Sequence, residues 1–374
     1  MGFYPYFRVI SSEQDTEVIV NGKKTLMLGS NSYLGLTNHP KVKEASINAI
    51  KKYGTGCAGS RFLNGTLDIH IELEEKLANL VGMDSALAYS TGFLANLGAL
   101  STIVGRGEYF LTDKLDHASI IDGCRLSFGK MLRFNHNDMD DLERQLKTVQ
   151  DKAKLIVVDG IFSMEGDIVN LPEICKLAEK YSAQIMVDDA HSIGVLGKDG
   201  SGTSNHFGLT DKVDIIMGTF SKSLASIGGF IAGNESIMHY LKHFSRPLIF
   251  SASLPPASAG SVIAAIKIMK NEPERIDRLW QITHKMQDGF KNIGYDIGVS
   301  NTPIIPLHVG EMMTAFKMWK MLANEGIFIN PVIPPAVPQN DCLIRTSFMA
   351  THTDKQLEFA LDKFKKVGKK LGII

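Results

Sequence analysis

The chain has 374 residues, 44% of them hydrophobic and 21% charged, a composition that suits a folded protein with a full core, of two or three structural units, and excludes a disordered or fibrous one. Forty basic residues balance forty acidic ones, so no global field recruits nucleic acid or an anionic membrane; the expected partners are small molecules and a second copy of the chain. Cys57, Cys124, Cys175 and Cys342 are scattered without a Cys-x-x-Cys pair, which speaks against a disulfide framework and a zinc site, so no metal is expected and the thiols read as reduced in a cytoplasm.

Met1-Gly2-Phe3-Tyr4-Pro5-Tyr6-Phe7-Arg8 has no basic start followed by an apolar block, so no secretory signal is expected there. Apolar Val42, Ala45, Ile47 and Ile50 predict an amphipathic helix over 42–53. The next residues, Gly54-Thr55-Gly56-Cys57-Ala58-Gly59, match the Gly-x-Gly-x-x-Gly dinucleotide fingerprint and raise a dehydrogenase as the rival reading. That fingerprint needs a strand before it and a helix after it. With a helix before it, the segment reads as a glycine-permissive turn leading to Ser60-Arg61-Phe62-Leu63-Asn64-Gly65.

Residues 85–105 carry no charge and are numerous enough to span a bilayer, but Ser90-Thr91-Gly92, Asn96 and Gly98 interrupt them. A strand at 86–89, a tight turn and a buried helix over 93–104 fit better than a transmembrane segment. Short β-rich runs then recur at 109–112, 131–134, 155–159, 184–187, 214–217 and 229–232, and a helix with Ile174, Leu177, Ala178 and Tyr181 on one face fills 172–182. Such alternation predicts an α/β fold, a mostly parallel sheet of seven strands with helices on both faces and ligands outside the carboxyl ends of its strands. After about 260 the pattern changes: a helix through Met269, another over 273–292, strands near 304–309 and 342–347, an extended proline-rich loop at 331–338, and a final helix over 354–371. The expected organisation is an N-terminal segment 1–35, a large domain 36–260 and a small α+β domain 261–374.

Chemistry concentrates at the strand ends. Gly218-Thr219-Phe220-Ser221-Lys222-Ser223-Leu224 sets one lysine among small hydroxylated residues after an apolar run. An amine there can form a Schiff base with an aldehyde cofactor, while Thr219 and Ser221 donate to a phosphate. Val187-Asp188-Asp189-Ala190-His191 ends an earlier run. Taken alone, Asp188 reads equally as a turn cap and His191 as a satisfied loop histidine. Paired with Lys222, they supply what a pyridinium nitrogen and a phenolate oxygen need, and the set reads as a pyridoxal 5'-phosphate site. Gly92 and Phe93 open a helix whose N–H groups and dipole suit the phosphate. Arg345, in Leu343-Ile344-Arg345-Thr346-Ser347, is an arginine on an apolar strand whose forked donors suit a carboxylate.

Gly29-Ser30-Asn31-Ser32-Tyr33-Leu34-Gly35-Leu36, the segment 54–66, Ser90-Thr91-Gly92-Phe93, Asp116-His117-Ala118-Ser119, Phe162-Ser163-Met164-Glu165-Gly166-Asp167 and the lysine segment occur in that order. Together they resemble the α-oxoamine synthases, pyridoxal-phosphate enzymes of the aspartate aminotransferase fold (fold type I), over nearly the whole chain. The resemblance implies that Lys222 holds the cofactor and removes the substrate Cα proton, and that His117 lies flat on the cofactor ring and bonds the substrate carboxylate. It further implies that Ser163 bonds the phenolic oxygen beside His191 or steadies that neighbour, and that Asn31 is a second contact to the amino acid. Ser251 and Ser253, in Phe250-Ser251-Ala252-Ser253, would reach the partner's phosphate in a homodimer. The lysine segment and Phe348-Met349-Ala350-Thr351-His352-Thr353 resemble bacterial members that condense L-serine with the long-chain thioester palmitoyl-CoA. Members using glycine with acetyl- or succinyl-CoA, or alanine with pimeloyl-CoA, are the alternatives, and a non-catalytic paralogue is opposed by Lys222, Asp188 and His117. A lipid product leaves room for peripheral membrane contact. Family members usually carry a further helical segment ahead of the tyrosine-rich start; truncation is the expected explanation of its absence here, with dimer packing or the acyl entrance affected.

Overall fold

The computed structural model describes residues 4–374; the first three residues of the start examined for a signal lie outside the described residues. Two compact units divide the chain, one of residues 39–162 and 168–272, the other of residues up to 38, 163–167 and 273–374.

The larger unit is built on a seven-stranded sheet. In spatial order its strands are Ser85–Tyr89, Gly229–Gly233, Ile215–Thr219, Gln184–Asp188, Lys154–Asp159, Tyr109–Asp113 and Lys130–Phe134. Gly229–Gly233 runs antiparallel to both neighbours and every other pairing is parallel. Central strands of such a sheet are covered on both faces, which is why Lys154–Asp159 is buried at every residue and reads as an apolar run rather than an alternation. Parallel register sets Asp159 opposite Asp188, and Asp188 opposite Met217, so strand-end side chains collect along one edge. Residues 85–103 fold as strand and helix, and among the described residues no helix is long and apolar enough to cross a membrane.

A boundary at 260 would cut the helix Pro256–Asn271, which packs on the helices Pro40–Tyr53 and Asp68–Val81; the compact unit therefore continues to Glu272.

In the smaller unit, Glu17–Val20 and Lys23–Met27 form a hairpin whose second strand pairs in parallel with Ile327–Phe328. The hairpin of the expected N-terminal segment is thus joined to the C-terminal part by a long-range ladder that no local pattern announces. A second sheet has Cys342–Ser347 between Ile304–Gly310 and Asn330–Val332. Pro331 and Val332 of the expected loop therefore lie in a strand. The helices Glu274–Ile293, Met312–Asn324 and Asp354–Leu371 share one core with these strands; Met312–Asn324 has no counterpart in the sequence reading although Ala315, Met318, Trp319 and Leu322 carry helical spacing.

The segment Phe348-Met349-Ala350-Thr351-His352-Thr353 is held by a buried histidine. His352 Nδ1 accepts from Met349 N at 2.9 Å, so Nε2 is left to donate to the Met27 carbonyl at 3.1 Å. Burial pushes this imidazole down to about 4, with the bond to the Met27 carbonyl opposing the shift. A histidine less basic folded than unfolded stabilises fully above its unfolded value near 6.5, and that stability is lost as pH falls toward 4. The expected acid loss from this group is about 3 kcal/mol. Urea titrations of the parent and His352→Gln at pH 7 and pH 4.5 check this: the parent should lose more stability between them than the variant, and equal losses would contradict it.

Candidate active site

Asp188 ends the strand Gln184–Asp188 and is 2% exposed. Its Oδ2 accepts from Asn96 Nδ2 at 2.7 Å and its Oδ1 from Ala190 N at 2.9 Å. A carboxylate has about four acceptor positions, so these bonds fix its plane and leave capacity for a cationic ring nitrogen. Asp189 serves the turn instead: both its oxygens accept from Thr203 N at 3.1 Å, and burial pushes its carboxyl up to about 7. His191 lies buried in the same turn.

His117 caps the helix Ala118–Leu126. Its backbone N–H donates to Asp159 Oδ2 at 2.9 Å, and its Nδ1 lies 2.7 Å from Ser119 Oγ. Burial holds the imidazole below the ordinary histidine range; the Asp188 carboxylate opposes this and the Lys222 ammonium adds to it. Asp159 is shifted well upward by burial and by repulsion from Asp188, with Lys222 and the His117 N–H opposing. Asp188 and Lys222 thus act on both His117 and Asp159, the carboxylate raising and the ammonium lowering the proton affinity of each.

Lys222 is half-buried in the loop after Ile215–Thr219. Thr219 Oγ1 donates to the Gly228 carbonyl at 3.1 Å and lies 3.0 Å from Ser221 Oγ. A Cβ at residue 92 would sit 2.7 Å from Thr219 Oγ1, so only glycine lets the helix Gly92–Ile103 start beside this hydroxyl. Thr91 caps that helix by accepting from Leu94 N, leaving the first N–H groups, those of Gly92 and Phe93, without intrahelical acceptors. Helix N-terminus and hydroxyls together form a cradle for an anion.

Ser251 is half-buried, while the Ser253 hydroxyl donates to the Gly59 carbonyl at 3.1 Å and its N–H to the same oxygen at 3.0 Å. The fingerprint-like glycine segment thus braces the serine loop. Arg61 and Glu74 anchor the glycine segment through a buried two-pronged pair at 2.7 and 2.9 Å.

Arg345, Ser163 and Asn31 belong to the smaller unit. Arg345 is on the middle strand of its sheet, buried, with Nε donating to the Ser163 carbonyl at 2.6 Å. Its side chain also bonds the Tyr33 hydroxyl, which burial pushes up to about 12 against the guanidinium's opposing pull. Ser163 thus meets Arg345 through its carbonyl. The Asn31 Oδ1 is buried without a hydrogen-bond partner.

Three residues of the cluster, Asn96, Ser119 and Asp159, are given no role at the site by the sequence reading. Asn96 did leave a signal, a lone amide in the middle of an otherwise apolar helix.

An aldehyde-bearing, phosphorylated pyridine fits this donor set: an amine, a buried carboxylate, an imidazole whose proton affinity burial lowers, and a glycine-lined helix start beside two hydroxyls. The comparisons agree. The chain is 56% identical to a serine palmitoyltransferase of Sphingobacterium spiritivorum, covering all of this chain and 94% of that one. It is 44% identical to an 8-amino-7-oxononanoate synthase of Thermoanaerobacter pseudethanolicus, covering all of this chain and 95% of that one. A solved structure of SPT with its PLP internal aldimine superposes with a TM-score of 0.96 at 37% identity, covering 99% of this chain and 94% of that one. The model of aminotransferase class I and II matches residues 23–364, a span that includes every residue of the lysine-centred cluster. With that span and those relatives, the chain belongs to the class I and II aminotransferase family, as one of its pyridoxal-phosphate-dependent α-oxoamine synthases.

Proposed function

We propose that this protein condenses L-serine with palmitoyl-CoA to give 3-ketodihydrosphingosine, CO2 and coenzyme A, the reaction that opens sphingolipid synthesis. The observation that carries this reading is the full-length identity of 56% to a serine palmitoyltransferase against 44% to an 8-amino-7-oxononanoate synthase. When bound, pyridoxal 5'-phosphate supplies an aldehyde for the Lys222 amine and a ring able to accept the electron pair left on the serine Cα.

The chain's own groups do the rest. Lys222 takes the proton from the serine Cα. Asp188, oriented by Asn96 and Ala190, keeps the ring nitrogen protonated. Gly92, Phe93, Thr219 and Ser221 hold the phosphate, and His191 with Ser163 the phenolic oxygen. Arg345 receives the serine carboxylate with Asn31 as a second contact, and His117 orients that carboxylate so that the Cα–H bond is the one broken. The thioester brings its own leaving group: a Cα–carbon bond forms as the carbon–sulfur bond breaks, the carboxylate departs as CO2, Cα takes back one proton from Lys222, and the departing thiolate takes a proton from solvent. The reading includes a cytoplasmic homodimer in which Ser251 and Ser253 face the partner's phosphate, with peripheral membrane contact at the stage of lipid release.

Product masses from serine, glycine and alanine, each offered with acetyl-, pimeloyl- and palmitoyl-CoA, test the substrate pair. Serine with palmitoyl-CoA is expected to lead by roughly tenfold or more. Preference for alanine with pimeloyl-CoA, or for glycine with a short thioester, would overturn it.

A further inference from the structure

Asn96 lies in the middle of the helix Gly92–Ile103, fully buried, and its amide nitrogen is within bonding distance of two groups. One is Asp188 Oδ2 at 2.7 Å and the other Ser119 Oγ at 2.8 Å. The amide's orientation follows from the first contact: exchanging its nitrogen and oxygen would set two acceptor oxygens 2.7 Å apart. Asn96 Oδ1 is consequently buried with no partner, an expense that a purely structural side chain at this position would avoid.

With both amide hydrogens committed, Ser119 Oγ is an acceptor toward Asn96. Its own proton is then available to His117 Nδ1, 2.7 Å away. The Ser119 backbone N–H points to the same nitrogen at 3.3 Å. Two donors converging on Nδ1 require it to be unprotonated, so the single proton of a neutral His117 ring is on Nε2.

We infer that Asn96 and Ser119 are positioning residues that link Asp188 to His117 through one hydrogen-bond chain and fix the His117 tautomer with Nδ1 accepting and Nε2 donating. In this arrangement the ring offers a donor, not a lone pair, to a substrate carboxylate. Asn96 and Ser119 together also tie the position of the carboxylate to that of the imidazole, so a shift at either is passed to the other. The inference rests on the reading of Asp188 and His117 as neighbours of the cofactor.

The test is nitrogen NMR of the full-length, cofactor-loaded protein labelled at histidine, with His117 assigned by its loss in His117→Gln. The parent should show one His117 species, protonated at Nε2. Asn96→Leu and Ser119→Ala should each give mixed tautomers or the Nδ1-protonated form. Both should lower kcat by about 10- to 100-fold, the scale seen when partners that orient a ligating histidine are removed, with a smaller change in KM for serine. An Nδ1-protonated parent would overturn the inference, as would variants that keep the parental tautomer and rate. Should Asn96→Leu fail to fold, the parent spectrum and Ser119→Ala decide the matter alone. Failure of the functional reading is a separate result, a parent that releases no thiol from palmitoyl-CoA with serine.

Discussion

Lys222→Ala is expected to lower kcat for condensation of serine with palmitoyl-CoA by about two to four decades, the range for loss of a positioned acid–base group. The side chain leaves a loop, only half-buried, so truncation opens no large cavity and the variant should fold like the parent. Its charge, however, is felt by both His117 and Asp159. Removing it takes away the group that lowers both their affinities for protons, so both should become more basic. Stopped-flow thiol release with circular dichroism as the folding control checks this, and a variant within a few-fold of the parental rate would exclude Lys222 as the base.

Asp188→Asn should cost about 10²- to 10³-fold in kcat, as for the loss of a preorganised electrostatic partner. The substitution preserves shape and removes charge, leaving a neutral amide opposite Asn96 Nδ2 where a carboxylate accepted at 2.7 Å. Asp189→Asn provides the comparison. Asp189 is equally buried but spends both oxygens on Thr203 N, so its loss should appear in stability while the rate stays near parental. Equal rate losses in the two variants would mean that the adjacent carboxylates had been assigned the wrong way round.

What the sequence disclosed and what it concealed follow from the range of the interactions. All seven strands of the large sheet were legible because each is a short apolar run ended by polar residues, and the parallel register then put Asp188 and Asp159 side by side. The final helix, Asp354–Leu371, was legible to the residue, because Thr353 and Gln356 form a capping box at its start and Gly372 ends it in a left-handed turn. The hairpin at 17–27 was not, because what makes it part of the smaller unit is its pairing with Ile327–Phe328, some three hundred residues away. Asn96 and Ser119 were missed for a related reason. A buried amide acquires its meaning from the partners it meets, and Asp188 is distant in sequence. The fingerprint at 54–59 misleads in the opposite sense, since its letters match while its structural context, a helix before it, is wrong. Its work is to accept the Ser253 donors through Gly59.

Borohydride reduction of the purified protein, followed by digestion and mass mapping of the fixed pyridoxyl group, tests the central claim most directly. The account predicts a visible band near 420 nm, roughly where protonated pyridoxal Schiff bases absorb, lost on reduction, and a single modified peptide carrying the label on Lys222. A label fixed on any other lysine would contradict it, and so would a protein that takes up no pyridoxal 5'-phosphate and binds NADH instead.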